Sequence, residues 1–370
     1  MGKKEEALAE SIADGLNKLF NDKQQVAYIG EEDSPTDLVD FVSTGSSLLD
    51  LSIANRAHAG IAFGRITELT GLEGSGKSLV AAHILANTQK MGGVAVFIDT
   101  ESAVNWEFFE AVGIDRKHNW VYAQLDTVED IFDAVMNIIE TVRKVSKNKP
   151  VSIVIDSIAG ASTKQEITAD FDRQGYATGK AILISAAMRK ITTLLARQKV
   201  ALIITNQLRQ RLGAMPFQDP WTTSGGKAIS FHASVRVRLA LIGKIKKKSE
   251  DNAIVGVTVQ ATVVKNRLGP PLRKTEFDIY FDRGIDDVSS WKPFLKDHKI
   301  IEGAAYLIYK SEDGTEHKFT SEQFKQYVQS NESLKEELYL KMAEKMIMHY
   351  KTDDLTEADL ELSSDTENDD

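Results

Sequence analysis

Residues 71–78 read G-L-E-G-S-G-K-S, and this stretch decides the fold. It matches the pattern G-x-x-x-x-G-K-[S/T], in which glycines let the backbone curl so that its N–H groups face phosphate oxygens. Lys77 is expected to neutralise the β- and γ-phosphates, and the Ser78 hydroxyl is expected to bind Mg²⁺. The sequence therefore predicts a nucleoside triphosphate site formed by Gly71, Leu72, Glu73, Gly74, Ser75, Gly76, Lys77 and Ser78.

The sequence on either side of this loop predicts a strand that enters it and a helix that leaves it. Residues 65–70 have the strand pattern, and residues 79–86 have the helical one. The helix would direct its positive dipole end at the phosphates. Short apolar runs that alternate with helical patterns indicate an α/β fold with a mostly parallel, twisted sheet. The further strands are predicted at 94–98, 151–155 and 201–205, with an antiparallel edge at 234–239 and 256–264.

Polar residues follow three of the predicted parallel strands. Ligands bind at the carboxyl ends of such strands, so these side chains are candidates for triphosphate chemistry. Asp156 suits the Mg²⁺ shell, with a helix cap as the alternative. Glu101 is expected to accept a proton from the attacking water, and Asp99 is the less favoured choice. The Gln207 amide can sense the γ-phosphate without adding negative charge.

Residues 208–227 show no periodicity, which is unusual for so long a segment in a compact domain. Cations interleaved with aromatic and apolar side chains suit a nucleic acid, because charge meets phosphates and flat faces stack on bases. A lid or an inter-domain packing loop is the alternative. A second irregular stretch, residues 163–180, could form another arm of the same groove. In 208–227 the side chains concerned are Arg209, Arg211, Leu212, Met215, Phe217, Trp221 and Lys227.

Composition limits the class of protein. Of the 370 residues 42% are hydrophobic and 27% charged, as in ordinary globular proteins. No apolar run approaches about 18 residues, and the N-terminus lacks an apolar core, so neither a membrane span nor a secretory signal is predicted. The absence of cysteine excludes disulfides and thiolate metal sites and fits a reducing cytoplasm.

The net charge of −9 lies entirely in the last residues of the chain. Residues 352–370 hold nine Asp or Glu and no Lys or Arg, and residues 1–351 have 45 acidic and 45 basic groups. Such a segment is expected to be disordered. It is either a solubility device or a polyanion that competes with DNA for a basic groove.

The chain divides into four predicted parts. Residues 1–40 form an N-terminal oligomerisation arm with an amphipathic helix, 41–287 an ATPase core, 288–351 a small C-terminal domain and 352–370 the acidic tail. The apolar positions of the arm follow helical spacing. They are Leu8, Ile12, Leu16, Leu19 and Phe20.

From residue 5 to about 285, the chain resembles the RecA-type strand-exchange recombinases of bacteria and their phages. The matching stretches occur in one order, which makes the likeness more specific than the phosphate loop alone. They are 43–46 (STGS), 48–50 (LLD), 71–78, 97–101 (FIDTE), 154–157 (VIDS), 187–190 (AMRK), 205–207 (TNQ) with Arg209, 222–226 (TTSGG), 233–236 (ASVR) and 263–267 (VVKNR).

The resemblance implies roles for individual residues. Glu101 would be the catalytic carboxylate and Gln207 the γ-phosphate sensor, and Phe108 would cover the adenine. Lys265 and Arg267 would reach the γ-phosphate of a neighbouring subunit's nucleotide. The family usually has Lys at the second of these positions, and Arg adds a fork of donors.

The resemblance also implies that residues 163–180 and 208–227 bind DNA. Residues 208–227 are one residue longer than the family pattern, with Pro216 inserted, which leaves the role of Phe217 open. The phosphate contacts would come from Arg189, Arg209 and Arg211, with Leu212 wedged between bases and with Met215 and Lys227 as further contacts.

The expected function is that of an ATP- and Mg²⁺-dependent DNA recombinase. It would form a helical filament on single-stranded DNA and catalyse pairing and strand exchange with a homologous duplex, in DNA repair and the response to DNA damage. Its place would be the cytoplasm of a bacterial cell or a phage-infected host, with single-strand-binding and mediator proteins as further partners. The alternatives are a ring helicase on the same core and an ATP-gated DNA-binding scaffold, with a P-loop kinase as a distant third.

Overall fold

The computed structural model describes residues 2–20, 25–29, 34, 38, 40–102, 104–168, 176–211, 221–247 and 252–349. The chain divides into two compact units, Met1–Val39 and Asp40–Asp370. The predicted tail 352–370 and the predicted DNA contacts Leu212 and Met215 lie outside the described residues.

The helices of the described residues are α1 (Gly2–Leu19), α2 (Ser47–Ala54), α3 (Lys77–Lys90), α4 (Trp106–Val112), α5 (Val128–Val145), α6 (Lys164–Thr168), α7 (Tyr176–Gln198), α8 (Lys227–His232), α9 (Asp287–Asp297), α10 (Phe324–Gln329) and α11 (Glu332–Met346). The strands are β1 (Phe41–Val42), β2 (Ile61–Ala62), β3 (Ile66–Gly71), β4 (Val94–Asp99), β5 (Trp120–Gln124), β6 (Val151–Asp156), β7 (Val200–Gln210), β8 (Trp221–Thr223), β9 (Val235–Lys247), β10 (Ala253–Asn266), β11 (Lys274–Tyr280), β12 (Gly284–Asp286), β13 (Tyr306–Lys310) and β14 (Glu316–Thr320).

The first unit contains α1 and an extended stretch, which one side chain holds together. Asn17 Oδ1 accepts hydrogen bonds from the N–H groups of Val26 (2.8 Å) and Ala27 (2.9 Å), and its Nδ2 donates to the Ala27 carbonyl. The predicted amphipathic helix is thus present. Its apolar positions Leu8, Ile12, Leu16, Leu19 and Phe20 are all exposed.

The second unit is built on one large twisted sheet with the order β12-β11-β10-β9-β3-β7-β6-β4-β5, and β8 pairs with β7. The six strands from β9 to β5 in this order are parallel, and β10, β11 and β12 join in antiparallel fashion. This architecture confirms the predicted α/β class and its antiparallel edge. β11 and β12 extend that edge beyond the two strands predicted.

Both faces of the parallel strands are covered, which explains their continuous apolar sequences. One face packs with α3 in a core that includes Leu69, Ile84 and Phe97. The other packs with α5 and α7 in a core that includes Ile153 and Ile191. Phe97 and its neighbours Val96 and Ile98 face opposite cores, as the two-residue period of a strand requires.

The segment predicted as a small C-terminal domain contains α9, the β13–β14 hairpin, α10 and α11, so it is α/β rather than wholly helical. Its core includes Trp291, Phe319 and Leu338. Leu48 and Leu51 of α2 belong to the same core. Residues 41–287 therefore contribute apolar surface to the folding of residues 288–349.

Two segments predicted to be irregular contain regular structure. β7 does not end at residue 205 but continues to Gln210, where it pairs with β8, and Lys227 begins α8. Residues 164–168 and 176–180 are helical. The sequence pattern did not predict these elements, because the strand and helix ends there are polar and glycine-rich. Such ends lack the apolar periodicity on which the prediction depends.

Leu338→Ala tests the third core. Leu338 is 0% exposed, so the truncation should lower the free energy of unfolding by about 2–5 kcal/mol. Leu340, on the same helix, is 47% exposed, and Leu340→Ala should cost less than about 0.5 kcal/mol. Chemical denaturation of the full chain measures both; equal losses would contradict the assignment of Leu338 to this core.

Candidate active site

The phosphate loop lies between β3 and α3, and its geometry depends on glycine. A Cβ on Gly71 would lie 2.2 Å from Ser75 Oγ, and Gly76 has φ of +89°, in the left-handed region. Lys77 Nζ donates to the carbonyls of Gly71 (3.1 Å) and Leu72 (2.8 Å). Its ammonium group is therefore directed into the loop, where burial lowers its pKa and the charges of Asp156, Glu101 and Glu73 oppose that shift.

Asp156 ends β6 and faces the first turn of α3. Its carboxylate accepts a hydrogen bond from Thr205 Oγ1 at 2.5 Å, and Ser78 lines the same cavity. Burial raises the pKa of Asp156, and the side chains of Ser78 and Thr205 lower it. The adjoining hydroxyl and carboxylate oxygens are the type of donor that Mg²⁺ prefers, so the pair fits that ion.

Two acidic side chains lie at the end of β4, and the structure distinguishes them. Asp99 accepts hydrogen bonds from the N–H groups of Glu101 and Ser102 and from the Tyr122 hydroxyl, each at 2.9 Å. Glu101 is exposed and accepts a hydrogen bond from Ser157 Oγ at 2.6 Å. Asp99 thus shapes the turn, and Glu101 has a free carboxylate oxygen available for a water molecule.

Gln207 lies beside the phosphate loop because of strand register. β3 and β7 pair in parallel with Gly71 opposite Gln207. The preceding residue, Asn206, is buried and donates to Glu68 Oε1 and to the Ser224 carbonyl, both at 3.0 Å. Gln207 is therefore paired with the first residue of the nucleotide loop, and its neighbour Asn206 holds the end of segment 208–227.

A small cavity brings four of the predicted residues together. Its volume is about 160 Å³, and Ser78, Glu101, Phe108 and Asp156 line it. Phe108 lies on α4, whose Asn105 cap accepts a hydrogen bond from the Phe108 N–H at 3.1 Å. The predicted metal, catalytic and adenine-covering positions thus share one cleft.

Lys265 and Arg267 lie at the opposite end of the sheet. Lys265 pairs with Arg236 at the start of β9, and Arg236 pairs with Glu68 near the start of β3, whereas Lys77 follows the end of β3. Lys265 Nζ donates to the carbonyls of Ser230 (2.7 Å) and Phe231 (2.8 Å) at the end of α8. Burial and the charges of Arg267 and Arg236 lower the pKa of Lys265.

Four of the DNA-contact candidates lie among the described residues. Arg189 of α7 and Lys227 of α8 line an open groove of about 590 Å³. Arg209 lies in β7 and Arg211 just after it, and both are exposed. The structure therefore brings Arg189 and Lys227 together.

Three site residues were missed by sequence reasoning. Ser157 and Thr205 donate hydrogen bonds to the two candidate acids, and Gly160 packs against Glu101, where a Cβ would lie 2.9 Å from Glu101 Cγ. Ser157 directly follows the predicted acid Asp156, and Thr205 is the last residue of the predicted apolar strand 201–205. That position is the signal that could have identified them.

Comparison with known proteins identifies the family of this chain. A model of the RecA N-terminal domain matches residues 6–286. The chain belongs to the RecA family. It is 36% identical to Protein RecA of Helicobacter pylori strain Shi470 over 282 residues, which are 76% of each chain. Protein RecA of Wolinella succinogenes is 36% identical over 73% of this chain and 72% of its own, and that of Chlamydia pneumoniae is 33% identical over 83% of each.

Membership of the RecA family establishes the general activity. The chain is an ATP-dependent recombinase of DNA recombination and repair, and a DNA-dependent ATPase. No helix within the described ranges has the length and apolar character needed to cross a bilayer. Across the same residues, no group of three or more His, Asp or Glu side chains is placed to hold a metal ion.

Thr205→Val tests the hydrogen bond to Asp156. Losing a donor to the charged form should raise the carboxyl pKa further, so the acidic limb of the ATP hydrolysis profile should move to higher pH. Thr205→Ser keeps the hydroxyl and should leave the limb in place. The pH dependence of the hydrolysis rate measures the shift, and identical profiles for both variants would remove Thr205 from the site.

Proposed function

We propose that ATP binds on residues 71–78 of one protomer in a helical filament. Lys265 and Arg267 of the neighbouring protomer would complete the binding site. The observation that carries this proposal is their position at opposite ends of the sheet. Each cation lies at the other end of the sheet from the phosphate loop of its own chain. Both are suited to stabilise the phosphoryl charge of a nucleotide on a neighbouring protomer. A head-to-tail contact of this kind joins two different surfaces, and it repeats into an open filament when its rotation does not close a ring.

Within that site, each side chain has a distinct task. The loop N–H groups and Lys77 bind the phosphates, and Glu101 accepts a proton from the attacking water. Gln207, beside Gly71, hydrogen-bonds the γ-phosphate and reports its loss along β7. Ser78 and Asp156 would hold Mg²⁺, which supplies charge neutralisation between the β- and γ-phosphates when bound.

Phe108 completes the nucleotide site on the other side. Its ring is half-buried in the cleft with Ser78 and Asp156, so one face is available to stack on the adenine. The phosphates and the base would then be held by elements that adjoin the same sheet edge.

DNA would lie against segments 163–180 and 208–227. Arg189, Arg209, Arg211 and Lys227 would contact phosphates, which carry no sequence information. Leu212 and Met215, which lie outside the described residues, would contact bases. Sequence would then be read through pairing between the bound single strand and a homologous duplex.

The N-terminal arm supports the filament. The exposed apolar stripe of α1 is the kind of surface that a partner covers, and we propose that the partner is the neighbouring protomer. The activity would take place in the bacterial cytoplasm, with single-strand-binding and mediator proteins as further partners.

The ring helicase and the DNA-binding scaffold make different predictions from a recombinase. Electron microscopy with single-stranded DNA and a slowly hydrolysed ATP analogue should show open helical filaments. Closed rings would favour the helicase. Filaments that never exchange strands with a homologous duplex would favour the scaffold.

Glu101→Gln tests the proposed catalytic base. The amide keeps the side-chain shape but cannot accept the proton, so hydrolysis should fall about 100-fold or more with ATP binding retained. Glu107, which is exposed on the adjoining α4, provides the matched control Glu107→Gln. Single-turnover hydrolysis and binding of a fluorescent ATP analogue measure the two properties. Near-normal hydrolysis by Glu101→Gln would reassign the base.

Mixing two inactive variants tests the shared site. In an equal mixture of Lys77→Ala and Lys265→Ala, about one quarter of head-to-tail interfaces would pair an intact Lys77 with an intact Lys265. DNA-stimulated hydrolysis should therefore recover towards one quarter of the wild-type rate. Lys77→Ala mixed with the double variant contains no intact Lys77 and should stay inactive. Failure of the first mixture to recover would place both residues in one chain's site.

A further inference from the structure

The wall beside the Glu101 carboxylate is a tight turn formed by residues 157–160. Ser157 Oγ donates to Glu101 Oε1 at 2.6 Å, and the Gly160 N–H closes the turn on the Ser157 carbonyl at 3.1 Å. Thr100 Oγ1 also donates to the Ser157 carbonyl, at 2.7 Å. The position of Glu101 thus depends on where this turn lies.

Lys180 holds the same turn from its other side. Its Nζ donates to the carbonyl of Ala159 at 3.0 Å and to that of Ala161. The side chain is half-buried, and burial lowers its pKa, with Glu166 opposing and Arg209 reinforcing that shift. Partial burial of an ammonium group is costly, so a lysine that bonds backbone carbonyls here does more than fill space.

The helix that presents Lys180 also contacts the end of the second predicted DNA segment. Lys180 lies in the second turn of α7. In the next turns, a Cβ on Gly226 would lie 3.2 Å from Ala181 Cβ, and one on Gly225 would lie 2.9 Å from the Ile184 side chain. The first turns of α7 therefore join segment 163–180 to the end of segment 208–227.

We infer that Lys180 is a positioning residue that transmits DNA binding to the catalytic carboxylate. A helix moves as a rigid element, so a shift of the first turns of α7 would be carried by Lys180 Nζ to the carbonyls of residues 159 and 161. From there it would pass through the turn and Ser157 to Glu101. The inference rests on the proposed roles of Glu101 and of the two DNA segments.

Lys180→Met keeps the length of the side chain and removes its donors. Its DNA-stimulated kcat should fall about tenfold, since small misplacements of a catalytic group cost one to two orders of magnitude. The KM for ATP and the affinity for a labelled single-stranded oligonucleotide should stay within about threefold of wild type, because the loss concerns positioning. Lys180→Arg, which keeps donors, should restore part of the rate.

Lys190→Met is the matched control, because Lys190 is an exposed cation on the same helix. It should leave kcat unchanged. A Lys180→Met variant that loses DNA affinity as strongly as kcat would show that Lys180 simply contacts DNA. A wild-type kcat would show that the link does not exist. Either result would overturn the inference.

A double-mutant cycle with Ser157→Ala tests the route itself. If Lys180 acts through the turn, then Lys180→Met should have little further effect once Ser157 can no longer hold Glu101. Losses that multiply would overturn the inference. If Lys180→Met does not fold, as circular dichroism would show, Lys180→Leu, which also lacks donors, replaces it in the same cycle.

The two levels of proposal fail separately. Substantial hydrolysis by Glu101→Gln would overturn the role of Glu101 whatever Lys180 does. Loss of hydrolysis in Glu101→Gln together with a wild-type kcat in Lys180→Met would overturn the link alone.

Discussion

The parallel register of β3, β7, β6 and β4 is the constraint on which the rest of the molecule depends. It places Gly71 beside Gln207 and Asp99 beside Asp156, so the polar ends of separate apolar strands meet at one end of the sheet. A shift by one residue would turn each of these side chains to the other face of the sheet. The two apolar cores, which lie on opposite faces of these strands, therefore fix the active site as firmly as any contact within it.

The two ends of the sheet carry opposite charges. The end of the sheet that holds the phosphate loop also presents carboxylates. In one of them, Asp156, burial and hydrogen bonds have opposite effects on the pKa. The opposite end of the sheet presents Lys265 and Arg267, and Lys265 donates to the carbonyls that end α8. Because these carbonyls carry the negative end of a helix, they steady cations that repel one another.

Sequence reasoning predicted the parts of this arrangement that local pattern controls. The apolar strands, the phosphate loop and the acids after β4 and β6 follow from periodicity and motif. The extension of β7 to Gln210 and its pairing with β8 were not predicted, because residues 206–210 are polar and gain their partners from distant sequence. The hydrogen bonds of Lys180 to residues 159 and 161 could not be predicted either, because local sequence does not specify which backbone carbonyls a lysine contacts in the folded chain.

If Lys265 and Arg267 act on a neighbour's nucleotide as proposed, their separation from the phosphate loop gives an assembly a direction. In a row of protomers joined by such contacts, one terminal protomer has a phosphate loop without a neighbour's cations, and the other has cations without a nucleotide. The number of complete sites is then always one fewer than the number of protomers. The fraction of protomers with a complete site would rise smoothly with length, and the two ends would exchange subunits at different rates, so polarity and a dependence on length follow from where β10 ends.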